Sequence, residues 1–195
     1  MADLITLQEY KTAEGITQPK EDARLNVLIP SISQLVKTYC GNSFVDYYST
    51  NKTETFNIEW ATHTVQLTES PVNTIVSVEE ATAYGSTLTA LTIGAQEYAL
   101  NKSTDCILRT TSAGYKNWPL GIETVKVVYT AGYSAVPADL KLAVIDLMTY
   151  YFKNEHKERR TIAGASIQNA STTSQANNVS FPDHIKRVLD LYKNY

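Results

Sequence analysis

"VKVVYTAGYSAVPADLKLAVIDLMTYYF", Val125–Phe152, opens as a strand and closes as a helix. The first residues are β-branched and alternate in period two. Pro137 then restricts Val136 to an extended backbone, and either Pro137 or Ala138 fits the first helical turn. Asp139 stands where a helix dipole favours negative charge. One apolar stripe follows at Leu140, Ala143, Val144, Leu147, Met148 and Tyr151, and a second at Leu142, Ile145 and Phe152. Lys141, Asp146, Thr149 and Lys153 are the clearly polar positions. An apolar arc wider than about 100° predicts burial on more than one side. Two readings are open. The helix packs into its own domain and also against neighbouring subunits, or it is a central helix wrapped wholly by its own domain.

Upstream, the pattern divides in two. Thr6-Leu7-Gln8-Glu9 matches a capping box and opens a short helix that stops at Gly15. Pro19 fits the first turn of a second helix, with Glu21 and Asp22 near its positive end. Its stripe is Leu25, Leu28, Ile29, Ile32, Leu35, Val36 and Tyr39, and Gly41 supplies a left-handed stop. Pro30 lies inside this helix and predicts a kink, because it lacks an N–H. The segments "TETFNIEW", "HTVQLTE", "NTIVSVEEA", "STLTALT", "EYALN", "CILRT" and "ETVKVVYT" between residues 53 and 130 are short, alternating and separated by turn residues. They predict an antiparallel region of about six to eight strands.

Downstream of Phe152, "NEHKERRT" reads as a charged helix end, with cations at the negative pole. Residues 162–180 are small and polar, and read as a mobile arm. Pro182 starts a last helix with Ile185, Val188, Leu189, Tyr192 and Tyr195 on one face and Lys186, Arg187 and Lys193 off it. The fold class expected is α+β. A bundle of about four helices, 1–44 and 123–195 with a C-terminal arm, carries an inserted antiparallel β domain at 45–122.

The chain has 195 residues, enough for one substantial core or a core with an appendage. Thirteen tyrosines against four phenylalanines fit either a protein–protein interface or a strand-rich fold. A net charge of −3 argues against a protein whose main task is gripping nucleic acid. That charge is uneven: residues 1–152 carry −6 and residues 153–195 carry +3. A basic C-terminal end on an acidic body suits either docking to an acidic partner or a solvated helix face. Cys40 and Cys106 are far apart and without CxxC pairing, as in a reducing compartment. No secretion signal or membrane-length apolar run is visible, so the expectation is a cytoplasmic protein that does not engage a membrane.

The sequence carries little recognisable chemistry. His156 belongs to no HExxH pattern, so zinc has no support, and no cofactor is expected. Ala131-Gly132-Tyr133-Ser134-Ala135 lacks the second glycine of a nucleophile elbow. No phosphate-cradling glycine loop is present. Glu79 and Glu80 point to opposite faces of a strand and cannot share a proton. A small enzyme would have to assemble scattered residues such as His63, Asp105 and Tyr115. The expectation is a non-enzyme.

"LITLQEYKTAEGI" (4–16), "EDARLNVLIPSISQLVKTYCGNSF" (21–44), "LTESPVNTIVSV" (67–78), the Val125–Phe152 stretch and "FPDHIKRVLDLYKNY" (181–195) together resemble tailed-bacteriophage head–tail connector proteins, also called adaptor or head-completion proteins. Tyr129-Thr130-Ala131-Gly132-Tyr133 followed by Val136-Pro137-Ala138-Asp139-Leu140 is the most specific block. Pro30 and the polar stretch 162–180 depart from the pattern. The resemblance implies a virion neck protein, assembled in the bacterial host cytoplasm. Twelve copies would form a ring below the portal protein, extend the DNA channel and offer a platform for a tail, stopper or tail-terminator protein. Subunit contacts are then expected at Leu142, Ile145, Tyr150 and Phe152. Portal docking is expected at Lys186, Arg187, Tyr192, Lys193 and Tyr195, within a docking segment of about 161–195. Lys153, Lys157, Arg159 and Arg160 are expected to face the channel, past which genomic DNA slides without sequence-specific binding. A tail-completion or terminator ring, and a DNA-packaging accessory using those four cations, are the alternatives.

Overall fold

A computed structural model describes residues 2–153, 159–162, 165–168 and 181–193. The chain forms two compact units, one built from Met1–Gly41 with Val136–Lys193 and the other from Asn42–Ala135. The class is α+β, as expected.

The helical unit begins with α1, Leu7–Glu14. Thr6 and Glu9 form the reciprocal capping box, and Gly15 ends the helix at φ 68°, a conformation costly for a residue with a Cβ. A 3-10 turn at Pro19–Glu21 leads into α2, Asp22–Cys40, which stops at left-handed Gly41. Pro30 lies inside α2 with its ring on the exposed side, and the helix runs on through it to Cys40. The third helix, α3, spans Ala138–Phe152, and the last, α4, spans Asp183–Asp190. Leu25, Ile29, Ile32 and Val36 of α2 are buried with Leu140, Ala143, Val144, Leu147 and Met148 of α3 and Ile185 and Leu189 of α4. These are the i, i+3, i+4 positions that the helical period selects.

The β unit contains eight strands: β1 Lys52–Ile58, β2 Thr64–Gln66, β3 Val72–Glu80, β4 Thr89–Leu91, β5 Tyr98–Asn101, β6 Cys106–Thr111, β7 Gly114–Tyr115 and β8 Gly121–Ala131. One sheet has the order β1-β8-β3-β4 and the other β2-β6-β5, with β7 paired to β6; every pairing is antiparallel. Val125, Val127 and Tyr129 of β8 face a core that includes Val78, Ile107, Leu67 and Trp118. Because β8 lies between β1 and β3, residues 123–131 belong to the β unit. The boundary expected at 122/123 therefore falls at 135/136.

The expected helix end beyond Phe152 is also corrected. Here α3 closes at Lys153, whose N–H donates to the Thr149 carbonyl at 2.9 Å. Arg159–Ile162 is a strand, β9, paired antiparallel with β10, Ala165–Gln168. Part of the expected polar arm is thus a hairpin, to which the β-branched Thr161, Ile162 and Ile167 are suited. The remainder of the arm lies outside the described residues.

The Tyr129–Tyr133 block has a structural explanation. Tyr129 is fully buried and Ala131 nearly so. Gly132 has φ 96°, and a Cβ there would sit 2.0 Å from the Phe44 carbonyl oxygen. That same carbonyl accepts the Tyr133 N–H at 2.7 Å, and the Gly132 N–H donates to the Pro71 carbonyl at 2.8 Å. Only glycine fits this crossing. Gly132→Ala should therefore cost the β unit at least ~2 kcal/mol. Urea unfolding followed by tryptophan fluorescence checks it, since Trp60 and Trp118 both lie in the β unit.

Candidate functional site

Among the described residues there is no group of three or more His, Cys, Asp or Glu that could hold a metal ion. His63 and Tyr115 do meet, with ring centroids 4.5 Å apart. Asp105 stands at the opposite end of β6, where its carboxylate accepts from the Ser70 hydroxyl at 2.5 Å and the Val72 N–H at 3.0 Å. The three scattered residues are therefore not one site. What remains for function is surface, and in the helical unit three faces matter.

The first is the outer side of α3. Leu142 is 60% exposed, while Ile145 and Tyr150 are half-buried. Phe152 turns back into its own unit, with its ring edge-on to Tyr10 at 6.4 Å and the Arg24 guanidinium 4.6 Å above it. Arg24 Nη2 also donates to the Phe152 carbonyl at 2.8 Å. The second apolar stripe thus splits, and Leu142 is the member left outward. Nearby, Lys141 donates to Glu9 at 2.7 Å and ties α3 to α1. That hydrogen bond, with the Thr6 N–H, holds the Glu9 carboxyl below its ordinary range.

The exposed side of α2 is the second face, and sequence reasoning missed it. Its exposed positions from Asn26 onward are Asn26, Val27, Pro30, Ser31, Gln34 and Thr38, none of them charged. Val27 is one of the unit's exposed large apolar residues. Two of its polar side chains bond along the helix: Ser31 Oγ donates to the Val27 carbonyl at 2.8 Å, and Gln34 Nε2 donates to Thr38 Oγ1 at 3.2 Å. Solvated helix faces are normally charged, whereas charge depletion marks interface cores. The signal was available as a lack of charge at exposed helical positions, but apolar periodicity looks only at the opposite face.

The third is α4. Phe181, Ile185 and Leu189 are buried, and Tyr39 stacks edge-on to Phe181 at 4.9 Å. Tyr39 donates to Asp190 at 2.6 Å, and the Cys40 thiol donates to the Leu189 carbonyl at 3.6 Å. Burial, with Asp190 nearby, pushes that thiol up to about 12, so it stays protonated and inert. Tyr192 donates to Asp139 at 2.6 Å, and this bond lowers the Asp139 carboxyl. Lys193 lies 4.8 Å over the Tyr39 ring. Two of the expected docking residues, Tyr192 and Lys193, thus make contacts inside their own unit. Lys186 and Arg187 are exposed, together with Leu191. Tyr195 and Lys157 lie outside the described residues, Lys153 is exposed just beyond α3, and Arg159 and Arg160 open β9.

A profile of the family described as head completion protein matches residues 3–195. The chain belongs to the head completion protein family. It is 25% identical over 194 residues to the head completion protein of Escherichia phage T5, covering 97% of this chain and 98% of that one. Its fold resembles a chain in the neck of an empty GTA particle computed with C6 symmetry, with TM-score 0.62, 14% identity and coverage of 98% and 90% of the two chains. A chain in the neck of a native GTA particle computed with C12 symmetry gives TM-score 0.56, 15% identity and coverage of 100% and 94%. The expected head-completion family is therefore correct. No helix among the described residues is long and apolar enough to cross a membrane.

The buried face of α4 generates a prediction. Ile185→Ala and Leu189→Ala should each destabilise the helical unit by about 2–5 kcal/mol, because each leaves a cavity in the core. Truncation at Ser180 should lower helical circular dichroism while Trp118 fluorescence stays native. A helix that added nothing to the core would cost only its own eight residues of helical signal and leave the thermal midpoint of the helical unit unchanged.

Proposed function

We propose that twelve copies of this chain close into a ring between the portal and the tail side of the particle, continuing the DNA channel without a catalytic step. The observation that carries this reading is the match of the head completion family to residues 3–195, together with the fold likeness to a chain in a particle neck computed with C12 symmetry. A closed ring uses a heterologous contact, so each copy needs two different faces. The uncharged exposed side of α2 and the Leu142 side of α3 supply two such faces on one helical unit, with Ile145 and Tyr150 flanking Leu142. The hydrogen bonds that Ser31 and Gln34 already make along α2 lower the desolvation cost of burying that face.

The exposed basic side of α4, with Lys186, Arg187 and Leu191, supports docking to the portal through charge and one apolar anchor. Lys153, Lys157, Arg159 and Arg160 are proposed to face the channel. On an otherwise acidic body, these few cations leave DNA free to slide, since each phosphate contact adds salt-dependent affinity. The tail, stopper or terminator protein would attach on the far side of the ring.

Imaging of purified necks should show twelve copies; a different number, or absence of the chain from particles, overturns the reading. Leu142→Asp should turn rings into monomers by native mass spectrometry and leave the thermal midpoint within about 2 °C, as for an exposed position. Lys186→Glu with Arg187→Glu should cut co-purification of the chain with portal about tenfold or more, with ring assembly unchanged.

A further inference from the structure

The β unit carries a second, unassigned surface at the end farthest from its chain crossings. The chain arrives and leaves where Phe44 meets Tyr133 and where the Ala131 N–H donates to the Tyr47 carbonyl at 3.0 Å. At the opposite end, three connections converge. Ile58 pairs with Gly121, and the Trp118 N–H donates to the Thr62 carbonyl at 2.8 Å, which places 58–62 against 118–121. The Ala81 N–H donates to the Thr124 carbonyl at 2.8 Å, and a Cβ on Gly121 would lie 3.7 Å from the Tyr84 nitrogen, which brings in 81–84. Tyr115 stacks on His63 beside them. These connections hold Trp60, Tyr84, Tyr115, Leu120 and Ile122, each 56 to 70% exposed.

Single exposed apolar residues are ordinary, but five large ones on adjoining loops and strand ends are not. The three aromatic side chains alone bring roughly 300–500 Å² of exposed surface, about half of the roughly 800 Å² that one partner gives to a standard interface. The platform is also held rigidly from below. Arg109 is buried and grips Glu80 through two hydrogen bonds of 2.8 and 2.7 Å. Its Nη1 donates to the Glu97 and Thr110 carbonyls at 2.6 and 2.9 Å, and its guanidinium faces Trp118. Little ordering entropy would then be lost on binding. The rim is acidic, with Glu59 and Glu123 exposed and Glu97 half-buried, against Lys116.

We propose that this end of the β unit docks a different protein, whose contact surface has an apolar centre flanked by lysine or arginine. The acidic rim selects the occupant. It repels duplex DNA and anionic lipid surfaces, which bind cationic proteins. It also disfavours tip-to-tip pairing of two copies, which would set like charges face to face. A basic-rimmed apolar partner gains on both counts. The inference needs no ring and goes beyond the portal and subunit contacts placed on the helical unit.

Photo-cross-linking tests it in the full chain. Trp60→p-benzoylphenylalanine, irradiated in cells producing particles, should yield an adduct with a different protein, with the captured peptide carrying apolar residues next to two or more basic ones. Tyr84→p-benzoylphenylalanine should capture the same protein. Glu59→Lys with Glu123→Lys should lower the adduct yield about tenfold at an equal level of soluble chain. Adducts only with a second copy, with DNA or with lipid, no adduct from either position, or a yield unmoved by charge reversal, each overturn the proposal. Failure of the neck reading is separate, since it would show as particles without the chain whatever the adduct.

Discussion

The hydroxyl of Tyr129 is the fastening on which the β unit depends. From near the C-terminal end of β8 it donates to Glu54 on β1 at 2.9 Å and accepts the Glu69 N–H at 3.2 Å. Glu54 and Glu69 would repel each other without Lys52, which stands 2.9 Å from both. Burial works against the charge on Lys52, yet its hydrogen bonds to the two carboxylates outweigh that and hold the ammonium above the usual lysine range. Glu69 in turn accepts the Ser43 N–H and hydroxyl, both at 2.8 Å. The first loop of the unit, two strands and a turn are thereby locked to one ring. Such a network is sound only while every member is present, because a buried charge left unpaired is costly.

That constraint sets the division of labour between the two ends of the β unit. The end with the chain crossings is closed by Tyr129, Gly132 and Phe44, and spends its polar groups on itself. The far end is braced by the Arg109–Glu80 pair and leaves its apolar residues outward. A fold with one satisfied end and one unsatisfied end is suited to a protein that must hold its own shape while offering a surface to others.

The helical unit shows the same economy. Its core takes one stripe from each of α2, α3 and α4, and outside that core α2 is uncharged from Asn26 onward while α4 presents Lys186, Arg187 and Leu191. The last helix, α4, is half core: Phe181, Ile185 and Leu189 face in, while Lys186 and Arg187 face out. The family likeness over nearly the whole chain fits a protein selected for its faces.

The sequence by itself determined the local pieces: the capping box at Thr6 and Glu9, the left-handed stops at Gly15 and Gly41, the alternating strands, the start of α3 after Pro137 and the connector-family block. These depend on periodicity and backbone conformation, which neighbours along the chain dictate. Tertiary structure alone decided which unit β8 joins, because a strand's partners are chosen across the sheet. It also decided that Phe152, Tyr192 and Lys193 turn inward, since Tyr10, Arg24, Asp139 and Tyr39 reach them from distant positions. The apolar cluster of Trp60, Tyr84, Tyr115, Leu120 and Ile122 was illegible for the same reason. Its members are scattered over more than sixty residues of turn-rich sequence, and only the antiparallel register of β1, β3 and β8 carries them to one end.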